Sequence, residues 1–194
     1  MKAFFHRYSY SIIKMFVNQF AIALLGVVLA MATISADNSV LTIVASTFTV
    51  AFYLFLIYTM TWEIGAKDRI SVDYDRLPYR PHTGLLLSLI ANAPNLLLAI
   101  LFTIAYPFMD THEWAGNLNA VLILILAIFE GMYNGLLTMI KFPSGGALIN
   151  VWWSYFLIII PALVTSWLAY IAGFKNFRML AAYFNKKEQE KKKS

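Results

Sequence analysis

Five long apolar segments dominate this sequence and limit what it can fold into. Each is at least as long as the roughly 20 residues with which a helix crosses the hydrocarbon core of a bilayer. Helices and closed barrels alone satisfy their backbone polar groups in lipid, and the alternation typical of barrel strands is absent here. The sequence therefore predicts an all-α integral membrane protein: a compact bundle of five, or at most six, transmembrane helices. The predicted spans are 15–36, 40–64, 84–109, 120–140 and 151–173.

Composition agrees with this class. Of the 194 residues, 60% are hydrophobic and 13% are charged, whereas a soluble domain has about 25% charged residues. The chain length suits one transmembrane domain over 1–194, located in the cell membrane. The chain has no cysteine, which excludes disulfides and thiolate metal sites. We expect no metal and no cofactor.

Both ends of the chain combine apolar and basic residues. Residues 3–16 have an apolar face opposite Arg7 and Lys14, and 174–184 has a similar mixture. Such segments lie along a membrane surface, so we expect interfacial helices at both ends. The basic tail, 174–194, is expected to meet anionic lipid headgroups rather than nucleic acid.

The charges of the connections predict the orientation. The loops at 35–39 and 110–119 carry acidic residues only, whereas 65–83 carries four basic residues. The positive-inside rule then places the N-terminus and loop 65–83 in the cytoplasm. Five crossings, however, place the basic tail outside and cancel the overall charge bias. Either the tail is outside or one segment is re-entrant, turning back near Pro94 or at 141–146.

The residue that most needs explanation is Glu130, in the middle of the fourth span. A carboxylate at that depth costs roughly 2.5 kcal/mol or more. Protonation, a bound cation or cationic solute, or a basic partner would offset the cost, and so would hydrogen bonds to asparagines in a purely structural role. No other charge lies as deep, so a basic partner is the weakest of these explanations. We predict an ion- or solute-binding site formed by Glu130, Asn134, Asn92 and Asn95.

Small and polar residues recur at helical spacing in the first four spans. Such stripes typically face other helices. Gly131 and Gly135 form a GxxxG pair, which is predicted to pack closely against another helix. In the first two spans we assign the stripes to packing alone; their members are Gln19, Ala23, Gly26, Ala30 and Thr33, and Thr42, Ser46, Thr49 and Tyr53.

Two functions fit these observations. The first is a transporter, a channel-like protein or a membrane-embedded solute-binding subunit with Glu130 lining its interior. The second is a non-catalytic accessory or assembly subunit, which binds other membrane proteins through its stripes and a cytoplasmic partner through 62–82. An enzyme is the least favoured class, because nucleophile, metal and nucleotide motifs are absent; His112-Glu113, for example, has no second histidine at HExxH spacing.

Overall fold

The computed structural model describes residues 2–36, 38–143 and 146–177. The protein is 82% helical, and the described residues form no strand beyond one isolated bridge between Lys141 and Ala147. The all-α prediction is therefore confirmed. The predicted basic tail lies outside the described residues from 178 onward, and so does most of the predicted interfacial segment at 174–184.

Two long antiparallel helices frame the bundle: α1, Lys2–Ser35, and α2, Ser39–Asp73. Each is about 50 Å long at 1.5 Å per residue, well beyond the thickness of a bilayer core. Residues 3–16 belong to the same continuous helix as the first predicted span. Most of the predicted loop at 65–83 is helical as well, and the connection itself is limited to 74–82.

The third predicted span, 84–109, is helical but bent. It comprises α3, Thr83–Ala91, and α4, Ala93–Ala105, followed by a 3₁₀ turn at Tyr106–Phe108. The two parts meet at Asn92 at an angle of 59°. Pro94 explains the break, because its nitrogen cannot donate a hydrogen bond to the preceding turn.

The fourth predicted span, 120–140, is not one continuous helix. The chain forms α5, Glu113–Phe129, then a 3₁₀ turn and α6, Asn134–Met139, with an 87° bend between the two helices. The side chain of Asn134 donates a hydrogen bond of 2.7 Å to the carbonyl of Ala127. In an uninterrupted helix the N–H of residue 131 would bind that carbonyl, so Asn134 competes with the helix at the bend.

After the bend the chain turns back toward the end of the molecule from which α5 came. α5 follows α4 through a short connection, and its last residues reach the middle of α1, where the rings of Phe129 and Phe20 are 5.3 Å apart. α6 then approaches the first turns of α2, where Gly135 lies against Ser46. Residues 113–139 therefore enter the bundle and leave it on the same side.

The last predicted span, 151–173, corresponds to α7, Ser154–Leu157, and α8, Ile160–Phe174. α8 runs parallel to α2: the hydroxyls of Thr61 and Ser166 are 3.2 Å apart, and Gly65 meets the backbone of Tyr170 one turn further along. The end of α8 therefore lies beside the end of α2, the start of α1 and the start of α3.

In the part of the chain that the structure describes, three helical stretches are long and apolar enough to cross a membrane, and five if each bent pair counts as one span. Large apolar side chains on the outside of the bundle agree with this, since lipid rather than water would cover them. Examples are Val28, 63% exposed, and Leu124, 67% exposed. The composition and the helices together support membrane association.

Candidate functional site

Glu130 lies at the end of α5, where the chain bends, and its residue is only 2% exposed. Two side-chain amides point at its carboxyl group. Asn95 of α4 donates a hydrogen bond to Oε1, and Gln19 of α1 donates another to the same oxygen at 3.3 Å. Three helices, α1, α4 and α5, therefore meet at this carboxyl group.

Gln19 also connects Glu130 to the break between α3 and α4. Its amide nitrogen donates to Oδ1 of Asn92 at 2.9 Å, and the amide of Asn92 donates to the carbonyl of Ser88 at 2.9 Å. The structure thus brings Glu130, Asn92 and Asn95 together, with Gln19 as the bridge. In the sequence Gln19 was assigned to packing; the signal for its role was that it is the one amide on the stripe of small and polar residues in this span.

Asn134 does not join this cluster. The prediction assumed that Glu130 and Asn134 share one face of a continuous helix, and the bend removes that relationship. The side chain of Asn134 instead donates a hydrogen bond to the carbonyl of Ala127. Asn134 therefore stabilises the bend between α5 and α6 and does not contact the carboxyl group of Glu130.

Several oxygens around Glu130 have no hydrogen-bond partner in the described part of the chain. These are the hydroxyls of Tyr53 and Tyr133 and Oδ1 of Asn95, all buried. Tyr53 belongs to the buried stripe of α2, and Tyr133 belongs to the turn that follows Glu130. A buried polar atom without a partner costs free energy, so a cluster of them requires an explanation such as a bound water, ion or polar solute.

Close backbone contacts hold this region against α1 and α2. A Cβ atom added to Gly26 would overlap the backbone of Met132, and one added to Gly131 would overlap that of Ala23. Gly135 packs against α2, where its added Cβ would overlap Ser46. The turn that follows Glu130 is therefore fixed to both long helices.

A second buried carboxyl group, Asp68, lies near the end of α2 and is 3% exposed. Its Oδ1 binds Arg7 at 2.8 Å, and its Oδ2 accepts hydrogen bonds from Tyr8 at 2.6 Å and Tyr170 at 2.9 Å. This cluster joins the start of α1 to the ends of α2 and α8.

Asp68 falls within the predicted cytoplasmic loop at 65–83, but the structure places it in α2 and buries it. Exposed ion pairs exist beside it, as in Lys67 with Glu63 at 2.6 Å. Asp68 differs because it continues the stripe of α2: buried residues recur at spacings of three and four over Thr42, Ser46, Thr49, Tyr53, Ile57, Thr61, Gly65 and Asp68. The stripe was visible in the sequence, but the expected loop boundary hid its last members.

No group of three His, Asp or Glu side chains suited to a metal ion occurs within the described ranges. Comparisons of the chain with protein-family models, curated proteins and solved structures gave no match.

Proposed function

We propose that this protein is a small transporter, or a channel-like or solute-binding membrane subunit, in which Glu130 binds a cation or a cationic solute. The observation that supports this most is the position of Glu130 at the tip of a segment that enters the bundle and turns back. Irregular backbone at membrane depth is tolerated where it is buried in protein or lines a water-filled cavity. In many transporters such interrupted helices form the binding site.

The proposed topology has four crossing segments and one re-entrant segment. α1, α2, the bent pair α3 and α4, and the pair α7 and α8 cross the membrane. Residues 113–139 enter to about the level of Gln19, near the middle of α1, and return. This arrangement replaces the five crossings expected from the sequence, and the break at Glu130 replaces Pro94 and 141–146 as the turning point.

The distribution of charge supports this topology. Of the 15 Lys and Arg residues, Lys141 alone belongs to a connection at the far end of the bundle. The others belong to the first half of α1, to the end of α2 and the connection that follows it, or to the sequence after Phe174. With an even number of crossings these regions share one side, and the positive-inside rule assigns that side to the cytoplasm.

The chemistry around Glu130 favours a positive ligand. The last carbonyls of a helix carry a partial negative charge. Glu130 directly follows the last residue of α5, so its carboxyl group lies near these carbonyls. Asn95 Oδ1 and the two tyrosine hydroxyls supply neutral oxygens, the ligand type preferred by hard cations. Among the described residues, no Lys or Arg side chain hydrogen-bonds or pairs with Glu130.

One observation favours the alternative of an accessory or assembly subunit. Oε1 of Glu130 already accepts hydrogen bonds from Gln19 and Asn95. Such bonds could serve only to fix three helices together, with the protein acting through contacts with other membrane proteins.

Cation flux in proteoliposomes distinguishes the two functions. The full chain is reconstituted, and uptake of H⁺, Na⁺ and K⁺ is measured with trapped fluorescent indicators. The wild type should conduct at least one of these cations faster than empty vesicles. Glu130→Gln, which keeps the side chain's shape, should abolish that flux.

Glu113→Gln is the matched control, because Glu113 is exposed in the first turn of the same helix, α5. It removes the same charge and should leave the flux unchanged. A Glu130→Gln variant that conducts normally would contradict the proposal. A wild type no more permeable than empty vesicles to all three cations would exclude transport of these cations and favour the accessory function.

A further inference from the structure

The Asp68 cluster borders a cavity of about 120 Å³ at the end of the bundle where α1 begins. Arg7, Tyr8 and Tyr170 line it together with Asp68, and the connection between α2 and α3 closes it through Leu77, Pro78 and Arg80. Five elements of the fold thus contribute to one concave site, because Thr83 at the start of α3 lines it as well.

The carboxyl group of Asp68 is not available to a ligand. Both of its oxygens are occupied, Oδ1 by Arg7 and Oδ2 by two tyrosine hydroxyls. Its charge is balanced by Arg7. A cation that enters the cavity would therefore find no free carboxylate there.

Arg80 adds a positive charge to the cavity that no carboxylate among the described residues neutralises. None of the ion pairs among the described residues involves it, and it lines the same cavity as the pair of Arg7 and Asp68. Arg7 contributes too: the hydrogen bonds of its side chain to Asp68 and Ser71 both come from one terminal nitrogen, Nη2. A guanidinium group carries five N–H donors, so donors remain for an anion, and phosphate oxygens match their geometry.

The remaining walls are apolar. Phe4, Val72, Leu77 and Pro78 line the same cavity. The site also lies at the start of α1 and near the end of α2, two helices that are longer than a bilayer core. The ends of such helices reach the depth of the lipid headgroups. A ligand that combines a phosphate with apolar atoms fits this arrangement better than a free inorganic ion does.

We infer that this cavity binds the phosphate of an anionic phospholipid headgroup, with Arg80 and Arg7 as its donors. The site would tie a lipid to the start of α1, the end of α2 and the connection at 74–82. It is distinct from the proposed cation site and does not depend on it.

Native mass spectrometry of the full chain tests the inference. Protein in neutral detergent is titrated with phosphatidylglycerol, and separately with zwitterionic phosphatidylcholine. We expect one saturable site for phosphatidylglycerol and weaker binding of phosphatidylcholine. Arg80→Gln should weaken the saturable site about tenfold or more, the value of one lost charged hydrogen bond.

Arg76→Gln is the matched control. Arg76 is an exposed arginine of the same connection, it does not line the cavity, and its replacement changes the net charge equally. It should leave the saturable site intact. Arg80 is also exposed, so both variants should keep the melting temperature of the wild type.

Three outcomes would overturn the inference. Equal weakening by both variants would mean unspecific attraction to basic residues. Equal affinity for the two lipids would remove the preference for an anionic headgroup. Saturable binding of inorganic phosphate that excludes phosphatidylglycerol would assign the cavity to a free anion rather than to a lipid.

Discussion

Gly131 lies directly against the carbonyl of Ala23, with no room between them for even a Cβ atom. The contact fixes the turn after Glu130 to the middle of α1. It also determines where Glu130 can be, because Glu130 directly follows the last residue of α5 and directly precedes Gly131. The position of the buried carboxyl group therefore depends on a glycine that carries no chemistry of its own.

Gly131→Ala should accordingly destabilise the protein, by roughly 1–3 kcal/mol, the usual cost of overpacking. Gly146→Ala is the control, because a Cβ atom there has no neighbour within 4 Å. Unfolding in detergent, followed by loss of helicity, measures the difference. Equal stability of the two variants would show that the turn can move away from α1 at little cost.

The side of the membrane on which Lys175 lies tests whether residues 113–139 are re-entrant. The protein has no cysteine, so single cysteines can be introduced at Ser39, Tyr74, Thr111 and Lys175 and labelled in intact cells with an impermeant maleimide. We expect labelling at 39 and 111 but not at 74 and 175. Labelling of 175 together with 39 would instead indicate five crossings and contradict the re-entrant topology.

The helices themselves could be predicted from the sequence, because apolar length and helical spacing are local properties. The break at Pro94 could be predicted for the same reason, since proline acts on its own turn. The bend at Glu130 could not. It depends on the side chain of Asn134 reaching back to Ala127 and on backbone contacts with α1, which form only in the folded bundle.

The cluster around Glu130 could be predicted from the sequence in part, whereas the Asp68 cluster could not. Glu130 could be recognised as a site residue because its carboxyl group lies in the middle of an apolar span. The asparagines of the third span were predicted to lie near it because polar stripes of neighbouring helices face each other. Asp68 lies beyond the apolar stretch, where composition alone suggests a loop. Its burial results from α8 running alongside the polar end of α2, and a tertiary contact of that kind leaves no local trace in either segment.

The ion pair of Asp68 should contribute to stability through its hydrogen bonds. Asp68→Asn should cost roughly 2 kcal/mol and Tyr170→Phe roughly 1 kcal/mol, because the first weakens three charged contacts and the second removes one donor. Arg7→Gln should cost less than Asp68→Asn, since the Arg7 side chain is 36% exposed. Denaturant titration of the purified variants measures all three.

The double variant Arg7→Gln with Asp68→Asn should cost less than the sum of the two single changes, because the residues are in contact and share one interaction. Additive costs would mean that the pair does not interact in solution. Ser9→Ala serves as a control, because Ser9 is an exposed residue of the same helix end, and it should leave stability unchanged.

The cluster around Glu130 should respond differently to loss of charge and to loss of hydrogen bonding. Glu130→Gln keeps an oxygen that can accept from Gln19 and Asn95, so the stability of the bundle should stay close to that of the wild type. Glu130→Leu leaves the buried amide of Asn95 without its acceptor, at a cost of roughly 1–3 kcal/mol, and removes one of the two acceptors of the Gln19 amide. Melting in detergent and the elution profile of the purified variants report the difference.

Gln19→Leu provides an independent check, because it removes the bridge between Asn92 and Glu130 without altering the carboxyl group. It should destabilise the bundle by a smaller amount than Glu130→Leu, since Asn95 still binds Glu130. If Glu130→Leu were as stable as Glu130→Gln, the amides would have other partners and the hydrogen bonds at Oε1 would not hold the three helices together. The carboxyl group would then be retained for its charge, the property on which cation binding depends.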